Sequence, residues 1–192
     1  MWPGETVVVI GGGPSLTEGQ VFYAKGKAKV IGINDAYRIA PWLDILYACD
    51  LKWWGWHREQ TLELKCLKIT PDKAAAEQFK DLTYIEGAHG KGLATKPNQI
   101  HYGKNGGYQA INLAVHTGAK KIILLGFDQR FPKNKSHWFG EHPDKVRSIY
   151  SNWRGHWESI VEPLKKLKVE VINCTPKSAL TVFPTKELWA TI

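Results

Sequence analysis

Short apolar runs recur along the chain at residues 6–10, 29–33, 45–48, 67–70, 83–85, 121–125 and 169–172. None alternates cleanly between apolar and polar positions, so each reads as a strand covered on both faces, the habit of a parallel sheet. Between them lie helix-like stretches. Asp72 precedes KAAAEQFK, which predicts a helix over 73–80, and Gly107 precedes YQAINLAVHTGA, where Ala110, Leu113, Ala114 and Thr117 share one face before Gly118 stops it. From 144 to 167, Val146, Ile149, Tyr150, Trp153, Trp157, Ile160, Val161 and Leu164 fall at three- and four-residue steps, which predicts a long helix with a break near Pro163. Residues 86–107, with six glycines, and 128–143, with two prolines and a basic middle, read as long loops of the kind that build active sites. The expected architecture is α/β: a Rossmann-like domain over 1–192 with a mainly parallel sheet and helices on both faces.

Composition narrows this picture. A chain of 192 residues supports one sizeable core. No window approaches the roughly 18 uninterrupted apolar residues of a membrane span, and glycines rather than a cleavage pattern follow the first strand. The expectation is a cytoplasmic protein without membrane contact, in the host cytoplasm if phage-encoded. Cys49, Cys66 and Cys174 are odd in number and widely spaced, which fits reduced thiols better than a disulfide framework or thiolate metal site. The net charge of +8 favours polyanions, nucleotides or acidic surfaces without choosing among them, and keeps nucleic acid open as a partner. Nine tryptophans are many for this length. Trp53, Trp54 and Trp56, and Trp138, Trp153 and Trp157, are candidates for stacking on a ring, while the four-residue step from Trp153 to Trp157 also suits a helix face in the core.

Ligands of open parallel sheets bind at the carboxyl ends of the strands, near the point where strand order reverses. The polar residues at those ends are Gly11, Gly12, Gly13, Pro14 and Ser15; Asn34 and Asp35; Asp50; Gly126 and Asp128; and Asn173 and Thr175. The stretch VVVIGGGPSL places a buried strand directly before a glycine turn able to approach phosphate. It is not a Walker loop, since no Lys-Ser/Thr pair follows. It also departs from the dinucleotide fingerprint, because Leu16 stands where the third glycine belongs. Asn34 and Asp35 suit a ribose or base edge, or a turn cap. Asp50 and Asp128 suit Mg²⁺ or an oriented hydroxyl, or caps. His137, His142 and His156 are clustered in sequence, and a histidine of near-neutral pKa is a natural base for an acceptor hydroxyl. Their spacing matches no strong zinc pattern. Arg130, Lys133 and Lys135 would neutralise a diphosphate or contact the acceptor, and Arg147 and Arg154 would extend that positive surface.

VVVIGGGPSL, IGINDAYRIAPWLDILYACD, the GGYQAINLAVHTGAKKIILLGFD block and NCTPKSALTVFP together resemble phage and prophage proteins of the DUF115 and 6-hydroxymethylpterin pyrophosphokinase MptE-like group. That group is similar in its nucleotide-binding core to the bacterial lipooligosaccharide sialyltransferases. The resemblance implies a nucleotide-dependent transferase with Gly11 to Ser15 against the phosphates and Asn34 near the nucleotide. It further implies Gly106 and Gly107 beside the donor, Asn173, Thr175 and Ser178 lining the same cleft, and His137 as the nearest match to the base. The donor stays open. A CMP- or UDP-sugar is one donor, with CMP needing no metal in the sialyltransferase manner and modified phage DNA as one acceptor; ATP with Mg²⁺ would imply diphosphate transfer; and a non-catalytic nucleotide- or nucleic-acid-binding protein is the third reading. His137, His156 and Asp128 are the expected catalytic groups, and a homo-oligomer is expected from the resemblance.

Overall fold

Seven parallel strands form the centre of the molecule. In the computed structural model, which describes residues 1–131, 135–144 and 153–192, they are β1 (Thr6–Ile10), β2 (Lys29–Ile33), β3 (Ile45–Tyr47), β4 (Leu67–Thr70), β5 (Leu82–Tyr84), β8 (Lys121–Leu125) and β9 (Glu170–Asn173). Their order is β5-β4-β3-β2-β1-β8-β9. The chain winds outward from β1 to β5, then returns to place β8 on the other side of β1, so order reverses between β1 and β8. Register there is tight: Thr6 to Ile10 pair one-to-one with Lys121 to Leu125.

The helices are α1 (Glu18–Ala24), α2 (Leu51–Trp56), α3 (Arg58–Leu62), α4 (Lys73–Gln78), α5 (Gly106–His116) and α6 (Arg154–Lys166). Successive strand residues point to opposite faces, and both faces are dry. Val7 and Val9 join Ile31, Ile45, Ile122 and Leu124 under Ile111, Trp157 and Ile160 of α5 and α6. Val8 and Ile10 join Val30, Leu46, Ile123 and Leu125 under Val21 of α1, Trp53 and Trp54 of α2, and Ala75 of α4. This two-sided burial is why the strands show no apolar-polar alternation, and it makes the fold the α/β, Rossmann-like arrangement expected.

Three expectations change. The 86–107 stretch is not irregular throughout, because β6 (Glu86–Ala88) and β7 (Gln99–His101) pair in parallel as a second, two-stranded sheet. Its anchor is α5: Asn112, fully buried, accepts from the N–H of Ala94 at 2.9 Å and of His101 at 3.3 Å. Residues 145–152 of the predicted long helix lie outside the described residues; the described part runs Arg154–Lys166 and contains Pro163 without ending there. The predicted helical positions Val146, Arg147, Ile149 and Tyr150, and the loop cation Lys133, lie outside the described residues. Trp54 is wholly buried, its indole N–H donating to the Ala48 carbonyl at 3.2 Å, so it is core rather than a stacking surface.

The turn above β1 tolerates no side chain at its third glycine. A Cβ on Gly13 would sit 2.5 Å from the Gly126 carbonyl oxygen and against the Asp128 carboxylate. Gly13→Ala is therefore expected to destabilise the protein by about 1–3 kcal/mol. Gly19→Ala, where a Cβ in α1 meets nothing within 4 Å, should stabilise it by up to about 1 kcal/mol. Urea unfolding of the two variants checks the contrast.

Candidate functional site

A cleft of about 1100 Å³ opens over the carboxyl ends of the strands. The size is generous for one nucleotide, since ligand pockets run to about 300–1,000 Å³. Its walls come from five strand ends: Gly11 to Gly13 after β1, Asn34 after β2, Cys49 and Asp50 after β3, Asp72 after β4, and Gly126 to Gln129 after β8. Asn105, Gly106 and Gly107 at the start of α5 complete one wall, and Ser136, His137, Phe139 and His142 another.

Backbone hydrogen bonds weld the floor at the switch point. The Gly11 N–H donates to Leu125 and that of Gly13 to Gly126, both at 2.8 Å. Asp128 clasps the same turn, its Oδ2 accepting from the Ser15 hydroxyl at 2.9 Å and the Ser15 N–H at 3.3 Å. Ser15 and Asp128 thus hold the turn in shape. Because Pro14 has no N–H, Gly12 is, among the described residues, the one member of the glycine run and its Pro-Ser continuation whose N–H is not engaged in this way, so the turn offers phosphate less than the sequence suggests. Burial raises the Asp128 carboxyl above its usual range, opposed by the Ser15 bonds. The second carboxylate oxygen, Oδ1, is buried without a hydrogen-bond partner among the described residues.

The α5 N-terminus faces this floor. Its cap, Asn105, accepts from the N–H groups of Gly107 at 2.8 Å and Tyr108 at 3.1 Å. Gly107 permits close packing: a Cβ there would lie 2.6 Å from the Phe127 ring. The helix end carries a partial positive charge suited to an anion. Three non-glycine residues lining the cleft take left-handed backbone angles, Asn34 at φ 51°, Lys104 at 54° and Gln129 at 51°. Asparagine adopts this region readily, whereas lysine and glutamine do so at a cost that clusters at functional sites. Asn105, Lys104 and Gln129 were not singled out in the sequence; the Asn-Gly-Gly step before the α5 run was the available signal for the first.

His137 closes the cleft from above. The Trp138 N–H donates to the Gly12 carbonyl at 3.1 Å, which seats the His137 ring over Gly12, 3.1 Å from where a Cβ would stand. The ring stacks on Phe139 with centroids 4.8 Å apart and lies 4.9 Å from His142. Burial, then the neighbouring His142, lower the His137 pKa, favouring the neutral imidazole. His142 reaches back to Asp35, Nδ1 to Oδ2 3.9 Å. Asp35 is 2% exposed and does not line the cleft; it accepts from the Trp53 indole at 3.1 Å and Arg38 at 3.3 Å, and lies 3.8 Å from His57. Burial lowers the His57 pKa against the pull of Asp35.

The remaining expected residues divide clearly. Asp50 lines the cleft, its carboxyl raised by withdrawal from water and by nearby Asp72. Asn173 and Thr175 are fully buried and bond inward: Thr175 Oγ1 accepts from the Phe127 N–H at 2.8 Å, and Asn173 Oδ1 from the Thr175 N–H at 3.0 Å. Ser178 donates to the Phe127 carbonyl at 2.5 Å. These three tie the chain after β9 to the end of β8 and support the cleft from behind instead of lining it. His156 sits beside Tyr108, ring centroids 6.1 Å apart, and is absent from the cleft lining, as are Pro14, Arg130 and Lys135. Among the described residues no group of three histidine, cysteine or acidic side chains is placed to hold a metal, and no helix is long and apolar enough to cross a membrane.

Comparison with known proteins places this fold. It is similar to the sialyltransferase CstII from Campylobacter jejuni in complex with cytidine-5'-monophosphate, with a TM-score of 0.58 at 15% identity over 96% of this chain and 86% of that chain. The same enzyme with CMP-3FNeuAc gives 0.54 at 15% identity over 94% and 85%. A CST-II variant in complex with CMP gives 0.57 at 15% identity over 94% and 86%. No family model and no curated protein matches the sequence. The sialyltransferase part of the resemblance thus holds at the level of the fold.

The two depressed histidines give a pH signature. A histidine whose folded pKa lies below its ordinary 6.5 contributes stability that is complete above that value and is lost as pH falls through the folded pKa. Unfolding free energy should therefore fall as pH drops below about 6.5, by at most about 1.4 kcal/mol per pH unit for each such histidine. His137→Gln should flatten that fall when denaturant unfolding is followed across the range.

Proposed function

We propose that the chain is a nucleotide-dependent transferase, and within that class a glycosyltransferase using a CMP- or UDP-sugar. The observation that carries the reading is the cleft at the β1–β8 switch point, where the glycine turn, the α5 N-terminus and His137 converge. Its fold likeness to a CMP-bound sialyltransferase supports a pyrimidine nucleotide as the donor's leaving portion. In this account the donor phosphate lies between the Gly12 N–H and the positive end of α5, with Asn34 toward the ribose. His137, kept neutral by burial, accepts the proton of the acceptor hydroxyl as that oxygen attacks the sugar carbon and the nucleotide departs with the bonding electron pair. Asp128 acts through Ser15, keeping the turn in shape. His156 does not line the cleft and is left out of the role; His142, which lines it, is the competing base.

Diphosphate transfer from ATP, suggested by the pterin pyrophosphokinase resemblance, would ask the cleft aspartates to hold Mg²⁺. The residues fit poorly. Asp72 caps α4 through Ala75 and accepts from the Leu51 N–H, one oxygen of Asp128 clasps Ser15, and Asp144 pairs with Lys52 at 3.2 Å, which leaves Asp50 and the second oxygen of Asp128. Hard cations seek several convergent oxygens.

Tryptophan fluorescence titrated with CMP, UDP and ATP, each with and without Mg²⁺, tests the reading, because Trp53, Trp56 and Trp153 line the cleft. Saturable, metal-independent binding of CMP or UDP is expected. Binding of ATP alone, and only with Mg²⁺, would replace it with diphosphate transfer. His137→Ala should leave nucleotide affinity within about threefold and reduce turnover by about 10²–10⁴, and a comparable loss confined to His142→Ala would transfer the role.

A further inference from the structure

The opposite end of the sheet carries a second surface that the cleft does not explain. It is built where α1 ends and the KGKAK loop, residues 25–29, leads into β2. Phe22 is 70% exposed and Trp189 52%, large apolar rings left in water. They belong to one continuous array. The Lys25 ammonium lies 5.7 Å from both the Phe22 and Trp42 rings, the Lys27 ammonium 3.2 Å from the Tyr23 ring, and Tyr23 meets Trp189 edge-on at 4.8 Å. Next to it a pocket of about 410 Å³ is lined by Lys25, Lys27, Lys29 and Trp42 together with Glu5 and Asp44. Asp44 is already matched by Lys29 at 3.7 Å and by the Val30 N–H at 2.8 Å. Among the described residues no carboxylate pairs with Lys25 or Lys27, whose charges rest only against rings.

We propose that this face binds single-stranded nucleic acid, with bases on Phe22 and Trp42 and phosphates at Lys25 and Lys27. Interleaved rings and lysines are the chemistry of sequence-tolerant strand binding, because every base has a face to stack and every linkage a charge to neutralise. The concave, lysine-lined pocket has room for a nucleotide unit and suits a discrete ring and phosphate better than a flat lipid surface. The chain's +8 charge draws a polyanion toward it. This inference is independent of the cleft and its chemistry.

The test is fluorescence anisotropy of a labelled single-stranded DNA of about 20 nucleotides. Affinity should fall about tenfold between about 50 and 200 mM salt, as expected when two or three phosphates are neutralised. Lys25→Glu with Lys27→Glu should weaken binding at least about tenfold, and Phe22→Ala about fivefold or more. All three sites are exposed, so thermal unfolding should match the parent. The charge-matched pair Lys80→Glu with Lys91→Glu should change affinity less than about twofold if the face is specific. Equal loss in that control, no binding at low salt, or retention on phosphatidylglycerol-rich vesicles without DNA binding would each overturn the proposal. CMP titration of the same variants keeps this result separate from the fate of the cleft.

Discussion

The junction of β1 and β8 is the constraint on which the rest depends. Two strands, buried from their second residue on, run side by side in parallel, and the chain leaves both at the same end. The strand ends pack so closely that a Cβ on Gly11 or Gly13 would lie 2.8 or 2.5 Å from the Gly126 carbonyl oxygen, and Gly126 takes a φ of 69° in the region that favours glycine. Backbone bonds from Gly11 and Gly13 to the end of β8 and the clasp of Asp128 on Ser15 lock the two strand ends together. A cleft remains where the strands diverge, and α5 and the 135–144 segment can approach it.

The electrostatics of the cleft follow from that geometry. Asp128 and Asp50 are raised by withdrawal from water, and burial pushes the Cys49 thiol up to about 12, so the floor resists negative charge on its own side chains. Asp35 plays a different part. Buried beneath α2, it gathers Trp53, Arg38 and the imidazoles of His57 and His142, joining the wall above β2 to the segment carrying His137. Asp35 was expected near a nucleotide; its contacts make it a tie between walls.

Much of the fold was legible because it rests on local chemistry. The seven main strands are short, mostly apolar runs of the right length, and α5 has its small packing face and terminal glycine in sequence, while its cap, Asn105, emerged only in the structure. The missed elements are those whose order comes from elsewhere. Three-residue β6 and β7 have sequences, EGA and QIH, with little intrinsic strand preference, and depend on Asn112 of α5. The site was half legible. Strand-end position located Gly11 to Gly13, Asn34, Asp50 and Asp128, but could not distinguish residues facing the cleft from those facing inward. Asn173, Thr175 and Ser178 turned inward because β9 is an edge strand whose following segment must be tied back to β8. The Asp128–Ser15 clasp spans 113 residues and leaves no trace in local pattern.

Hydrogen-exchange mass spectrometry with and without saturating CMP, UDP or ATP, Mg²⁺ present, tests most directly whether the switch point is the ligand site. The account predicts new protection in peptides covering residues 10–16, 104–109 and 135–142, with the stretch at 22–30 unchanged. Protection confined to 22–30, or elsewhere on the molecule, would contradict it.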